Sequence, residues 1–160
     1  MRPLFFKELH KQMTLNANIV AVTFDLGYGG FDQIKTDYPK RFFNVGASEQ
    51  AGMDIAVGLA LSGKKVFVYS ITPFLIYRAF ETIRNYVNHE KLPIILVASV
   101  RDKDYPADGI SPWSEEVKPI LNTLPNIIQY YPTDKKEIPL LVEKMAKENS
   151  PQFISLKRGE

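Results

Sequence analysis

Glu49 stands where a carboxylate can do acid–base work, in the run Val45-Gly46-Ala47-Ser48-Glu49-Gln50-Ala51-Gly52-Met53. Gly46 permits a sharp turn from a strand into a helix, and Glu49 then falls in the first turn of that helix. A carboxylate there serves the helix dipole, with Ser48 as N-cap, and needs no other role. The rest of the helix argues for more. Gly52, Ala56 and Ala60 recur every four residues, Gly58 adds a gap, and Met53, Ile55, Val57 and Leu59 leave little polar surface. Such a helix packs its backbone close to a neighbour and is expected to be central and buried. A Glu at its start is partly desolvated, which favours its protonated form and suits proton sharing with a ligand nitrogen.

A second group, Phe74, Tyr77 and Phe80, follows the turn residues Ser70-Ile71-Thr72-Pro73. Its spacing fits the core face of a helix and equally a flat aromatic floor for a heteroaromatic ring. Arg78 lies within this stretch and Arg84 one helical face further on; each reads as a surface residue or an anion contact. Arg101, Asp102, Asp104 and Asp108-Gly109 share one long loop. The carboxylates lack EF-hand spacing and no Glu stands at the bidentate position, so a metal is not expected; a loop that covers a cofactor or partner is. His10 and His89 read as structural residues, the latter at a helix C-terminus where positive charge is welcome. No histidine stands at a helpful spacing from Ser48 or Ser70 for a hydrolase triad. Gly27, Gly29 and Gly30 match no dinucleotide fingerprint, and no Lys-Ser/Thr completes a P-loop.

The elements that must position these groups alternate strand and helix. Strands are expected at 19–24, 41–45, 66–69, 94–99, 127–131 and 153–156, where short apolar, β-branched runs are bounded by turn residues. Helices are expected at 4–14, 48–61, 74–88, 114–124 (with a break near Pro119) and 134–147, with a short helix or loop at 31–38. Gly63 ends the second of these in the C′ manner, and Thr133 or Asp134 caps the last, with Glu137 in its first turn. Such alternation implies right-handed crossovers and an α/β, three-layer, doubly wound, mostly parallel sheet with helices on both faces. Ligands of such sheets sit beyond the carboxyl ends of the strands, where 44–49, 70–74 and 99–108 fall.

Composition bounds the rest. A chain of 160 residues, 45% hydrophobic and 24% charged, suits one globular domain with a sizeable core. A net charge of +2 gives no reason to expect nucleic acid, and Lys64-Lys65 and Lys135-Lys136 read as solvated element ends. The lack of cysteine excludes disulfides, thiolate nucleophiles and Cys-ligated metals, and fits a reducing compartment. The N-terminal run has no signal-peptide core and no apolar run approaches a membrane span, so a cytoplasmic location without a membrane partner is expected.

Taken together, these segments resemble the pyrimidine-binding domain of the transketolase family, which includes deoxyxylulose-phosphate synthase and the β-subunits of oxoacid dehydrogenases. The stretch Pro39-Lys40-Arg41-Phe42-Phe43-Asn44-Val45-Gly46-Ala47-Ser48-Glu49-Gln50-Ala51-Gly52-Met53-Asp54-Ile55-Ala56-Val57-Gly58-Leu59-Ala60 is similar to the family's signature almost throughout. Tyr69-Ser70 to Arg84, Ala107-Asp108-Gly109, Leu124-Pro125-Asn126 and Tyr131-Pro132-Thr133-Asp134 follow in the family's order. The resemblance implies the pyrimidine module of the thiamine-diphosphate-binding fold. It matches Glu49 to the glutamate that hydrogen-bonds the cofactor's pyrimidine N1′ and so activates it. It matches Phe74 and Tyr77 to the aromatic region that stacks on the ring, with Arg78 among the cofactor-binding residues. Asp25 matches an early acidic position, and Asp108 and Arg101 fall on the substrate-side loop.

Two departures shape the expectation. Relatives read Asp-Gly-x-Thr-His where this chain reads Asp108-Gly109-Ile110-Ser111-Pro112-Trp113, so the histidine that contacts a sugar substrate is missing. The Gly-Asp-Gly…Asn set that holds Mg²⁺ and the diphosphate is also missing, and Lys157-Arg158-Gly159-Glu160 falls where a linker to a third domain would begin. The expectation is therefore one pyrimidine-binding domain over residues 1–160 in a split transketolase-like enzyme. It would share thiamine diphosphate with a separate diphosphate-binding subunit that carries the Mg²⁺. It would self-associate in a dimer or heterotetramer and transfer a two-carbon ketol or acyl-anion unit from a sugar or oxoacid substrate. The rival expectation is a non-catalytic scaffold or regulatory domain that keeps this fold.

Overall fold

The computed structural model describes residues 1–158; Gly159 and Glu160, at the expected start of a linker, lie outside the described residues. In chain order the elements are α1 (Arg2–Leu15), β1 (Ile19–Thr23), α2 (Asp32–Asp37), β2 (Phe42–Asn44), α3 (Glu49–Leu61), β3 (Lys65–Ser70), α4 (Thr72–Arg78), α5 (Phe80–Thr82), a π-helix (Ile83–His89), β4 (Ile94–Ala98), α6 (Val117–Leu121), β5 (Ile128–Tyr130), α7 (Glu137–Lys147) and β6 (Gln152–Ser155).

The six strands form one sheet in the order β2-β1-β3-β4-β6-β5, and every neighbouring pair is parallel. The central strands are apolar on both faces because both faces are covered. Val20, Val22, Val66, Val68, Ile94, Leu96 and Phe153 pack with α3, α4, the π-helix and α6. The alternate residues Ile19, Ala21, Phe67, Tyr69, Ile95, Val97 and Ile154 pack with α1, α2 and α7. From β1 the chain winds first outward to β2 and then back to β3 on the other side, so the carboxyl ends of β1 and β3 flank a topological switch point.

Three helical expectations need correction. The single helix expected at 74–88 is broken: α4 ends at Arg78, Ala79 adopts φ −118°, ψ 23°, and the last stretch is a π-helix. The i→i+5 bonding of a π-helix widens the turn, so Ile83, Val87 and Asn88 are all buried there. Asn88 Oδ1 accepts the Asn126 N–H at 3.0 Å, tying this winding to the segment before β5. Helix α6 begins at Val117, later than expected, and Pro119 sits in its first turn without breaking it. Helix α7 begins at Glu137, whose carboxylate accepts the N–H groups of Thr133 and Asp134 at 2.8 and 2.7 Å. Those two N–H groups, Asp134 foremost, hold the Glu137 carboxyl below the usual carboxylate range.

Two contacts set the edge where ligands are expected. Gly52 on α3 lies against β1 and β2: a Cβ there would stand 2.2 Å from the Phe24 ring and 2.6 Å from Val45 Cγ2. Arg101, just after β4, donates from Nε to Ser155 Oγ at 3.0 Å, from Nη1 to Pro132 O at 2.8 Å, and from Nη2 to Ser155 O. The guanidinium thereby pins the start of the long loop to the end of β6.

Gly52→Ala should lower stability by about 1–2 kcal/mol, because overpacking against a ring that cannot leave the core outweighs the gain in helix propensity. Urea unfolding checks this, and an unchanged midpoint would show that Phe24 yields. Arg101→Ala should cost about 1–3 kcal/mol by orphaning the two carbonyls and should speed amide exchange across residues 101–113. Unaltered exchange there would mean that the loop holds itself.

Candidate functional site

The turn into α3 is built by backbone geometry and one side chain. Gly46 takes φ +71°, the left-handed region that glycine adopts without strain. Asn44 Oδ1 accepts the Gly46 N–H at 3.1 Å and the Asp25 N–H at 2.9 Å, joining the carboxyl ends of β2 and β1. Ser48 occupies the N-cap position but makes no side-chain capping bond. Glu49 follows as the first residue of α3 and is 5% exposed. Its burial follows from the Gly52 contact, which draws the first turn of α3 down onto the sheet edge.

The expectation of a central, buried helix holds for one side of α3 only. Gly52, Met53, Ala56, Val57 and Ala60 face inward. Ile55 is 43% exposed and Leu61 67% exposed, while a Cβ at Gly58 would meet nothing.

Glu49 Oε1 accepts a hydrogen bond from Arg78 Nη1 at 2.7 Å. The partners differ in setting, since the Arg78 side chain is 48% exposed. The Arg78 guanidinium carbon also lies 4.0 Å from the centroid of the partly buried Phe74 ring. Glu49, Phe74 and Arg78 therefore form one cluster. Its register is held one turn further along α3: Gln50 Nε2 donates to Thr82 Oγ1 at 2.7 Å, and Thr82 Oγ1 donates to Asp54 Oδ1 at 2.9 Å. Thr82 is buried, so this network fixes α3 against α5 just beyond Arg78.

Other expected residues lie apart from the cluster. Tyr77 is beside Glu116; partial burial, then that carboxylate, push its hydroxyl up to about 12. It therefore stays protonated and faces the α6 side. Phe80 packs against the core. Arg101 is committed to Ser155 and Pro132, and Asp108 is exposed at the end of a short 3-10 turn, Pro106–Asp108. Asp25, at φ +57°, is exposed and accepts the Tyr28 hydroxyl at 2.8 Å. Among the described residues no group of three or more His, Asp or Glu gathers as a metal site, and no helix is long and apolar enough to cross a membrane.

A cleft lies elsewhere on the same edge. It measures about 750 Å³, lies on the α1 and α2 side of the sheet, and is lined by residues that include Arg2, His10, Tyr28, Tyr69, Ser99 and Tyr105. Glu49 is not on its wall. The cleft offers room, but the chemistry points to Glu49, a buried carboxylate joined through the Arg78 guanidinium to the Phe74 ring. Sequence reasoning missed Asn44, Thr82 and the cleft. The Gln50/Asp54 spacing is visible in a helix, but nothing local marks Thr82 as its third member.

Comparisons with known proteins agree with this architecture. The family described as "Transketolase, pyrimidine binding domain" matches residues 1–160. A putative transketolase C-terminal section from Methanocaldococcus jannaschii is 33% identical over 144 residues, covering 89% of this chain and 46% of that protein. A 1-deoxy-D-xylulose-5-phosphate synthase from Clostridium botulinum is 31% identical over 147 residues, covering 89% of this chain and 23% of that protein. The chain thus spans less than half the length of these relatives. Among solved structures, a split gene transketolase described as an inactive beta4 tetramer matches with a TM-score of 0.86 at 30% identity, over 99% of this chain and 50% of that one. Transketolase from Leishmania mexicana shares the fold, with a TM-score of 0.86 at 19% identity, over 98% of this chain and 25% of that one. With a family model that spans the whole chain and a parallel α/β sheet of the same fold, this chain belongs to the transketolase pyrimidine-binding domain family.

Proposed function

We propose that this chain is the pyrimidine-binding half of a transketolase-like transferase that uses thiamine diphosphate. The observation that carries the reading is the cluster itself: a buried Glu49 carboxylate beside the Phe74 ring, with a flat cation already seated on both. A stacked aminopyrimidine needs the same two features. Bound there, thiamine diphosphate would supply carbanion-type chemistry for transfer of the unit. Glu49 would hold the pyrimidine N1′ by a hydrogen bond and would be the group that exchanges a proton with it. Phe74 would offer its ring face for stacking, whereas Tyr77, the other aromatic candidate, faces Glu116. Asp108 and the loop that Arg101 pins border the substrate side.

On this reading a second chain bearing the diphosphate domain and Mg²⁺ completes the site; among the described residues no group of three or more His, Asp or Glu gathers as a metal site. The likeness to a split gene transketolase recorded as an inactive tetramer supports the same division. On this reading the isolated chain self-associates, binds the cofactor weakly and is inactive. The substrate is a sugar or oxoacid that yields a two-carbon ketol or acyl-anion unit. One observation favours a non-catalytic role: the exposed segment Asp108-Gly109-Ile110-Ser111 carries no imidazole.

With the diphosphate-domain chain present, Glu49→Gln and Glu49→Ala should each lower turnover by about a hundredfold to ten-thousandfold, the usual worth of positioned acid–base catalysis. Steady-state assays of the reconstituted pair check this. Wild-type turnover in both variants would remove Glu49 from the mechanism and leave the scaffold reading.

A further inference from the structure

The Arg78 contacts repeat, atom type for atom type, what the site would offer a cofactor ring. The guanidinium is planar, carries N–H donors in its plane and stacks on aromatic faces. It covers Phe74 at 4.0 Å and gives a hydrogen to Glu49 Oε1 at 2.7 Å. An aminopyrimidine protonated at its ring nitrogen has the same two properties, a flat face and an in-plane N–H. A ring stacked on that face of Phe74 and bonded to that oxygen requires the place the guanidinium holds.

The setting of the pair says which partner can move. Glu49 is 5% exposed and fixed in the first turn of α3, whereas the Arg78 side chain is 48% exposed and sits on the last residue of α4, where the helix breaks at Ala79. A long side chain at a helix end has solvent to swing into. Leaving Glu49 buried without a donor is costly, so the guanidinium leaves readily only when another N–H takes over its bond. Resting on the reading of Glu49 and Phe74 as a pyrimidine seat, we propose that Arg78 is an internal stand-in for the cofactor's pyrimidine, which it must vacate before the ring can bind. It keeps the carboxylate paired in the empty chain and weakens pyrimidine binding by the fraction of time it spends in the seat.

The test titrates the full chain with the aminopyrimidine half of thiamine, as its free hydroxymethyl alcohol, followed by NMR. Arg78→Ala should bind this probe about tenfold more tightly than wild type, as expected when a competitor that fills the seat for nine-tenths of the time is removed. In wild type the probe should speed solvent exchange of the Arg78 guanidinium hydrogens, broadening their signals, as Nη1 leaves Glu49 for solvent. Arg78→Lys keeps a charge beside Glu49 but neither the plane nor the fork. It should also bind more tightly than wild type, and it serves if the Ala variant does not fold. Equal or weaker binding by the variants, with Glu49→Gln still abolishing it, would overturn the stand-in and make Arg78 a supporting contact of the seat. Binding that ignores Glu49→Gln, or no binding by any form at millimolar probe, would overturn the pyrimidine seat as well.

Discussion

Helix α3 reaches the sheet edge because residue 52 has no side chain. A Cβ at Gly52 would fall 2.2 Å from the ring of Phe24, itself locked in the core. This approach draws the start of the helix inward and buries Glu49 at the carboxyl edge of a parallel sheet. The other supports are secondary to it. Asn44 fixes the two strand ends that the turn must leave, Gly46 supplies the left-handed backbone, and the Gln50–Thr82–Asp54 network keeps α3 from sliding along its neighbour. Without the close contact these devices would hold a helix whose first carboxylate sat in water.

A carboxylate placed this way needs a partner, and burial makes the choice of partner consequential. The chain meets the need with a cation that is half in solvent and stacked on an aromatic ring, an arrangement that one flat nitrogenous group can exchange for another. A cleft of about 750 Å³ on this edge lies across the sheet on the α1 and α2 side, and Glu49 does not line it. On the proposed reading this chain supplies the ring-binding surface, and a second chain supplies what encloses it and anchors a charged tail.

Much of this was legible because parallel strands covered on both faces must be apolar throughout. The runs 19–24, 66–69 and 94–99 declare themselves for that reason, and Gly46 and Gly63 mark turns that few other residues make. The break at Ala79 and the π-helix after it were not legible, since Leu75, Ile76, Ile83 and Val87 repeat as they would in one ordinary helix. The small residues of α3 gave a mixed signal: Gly52 marks a close approach, whereas Gly58 faces open space. The three aromatics near residue 74 look alike in sequence and separate in space, Phe74 beside Glu49, Tyr77 towards Glu116 and Phe80 on the core. Thr82 and Arg101 act through bonds to residues far along the chain, as Asn44 does towards Asp25, and such bonds leave no local pattern to read.

If Glu49 activates a thiamine cofactor through its pyrimidine, the proton at the cofactor's C2 must be more labile in the assembled protein than without that carboxylate. Deuterium exchange at C2, measured in the complex of this chain with a diphosphate-domain partner, reads this without any substrate. Glu49→Gln should slow the exchange by about a hundredfold or more, the scale of a lost acid–base contact, while the cofactor stays bound. Equal exchange in variant and wild type, with cofactor bound in both, would contradict the role given to Glu49.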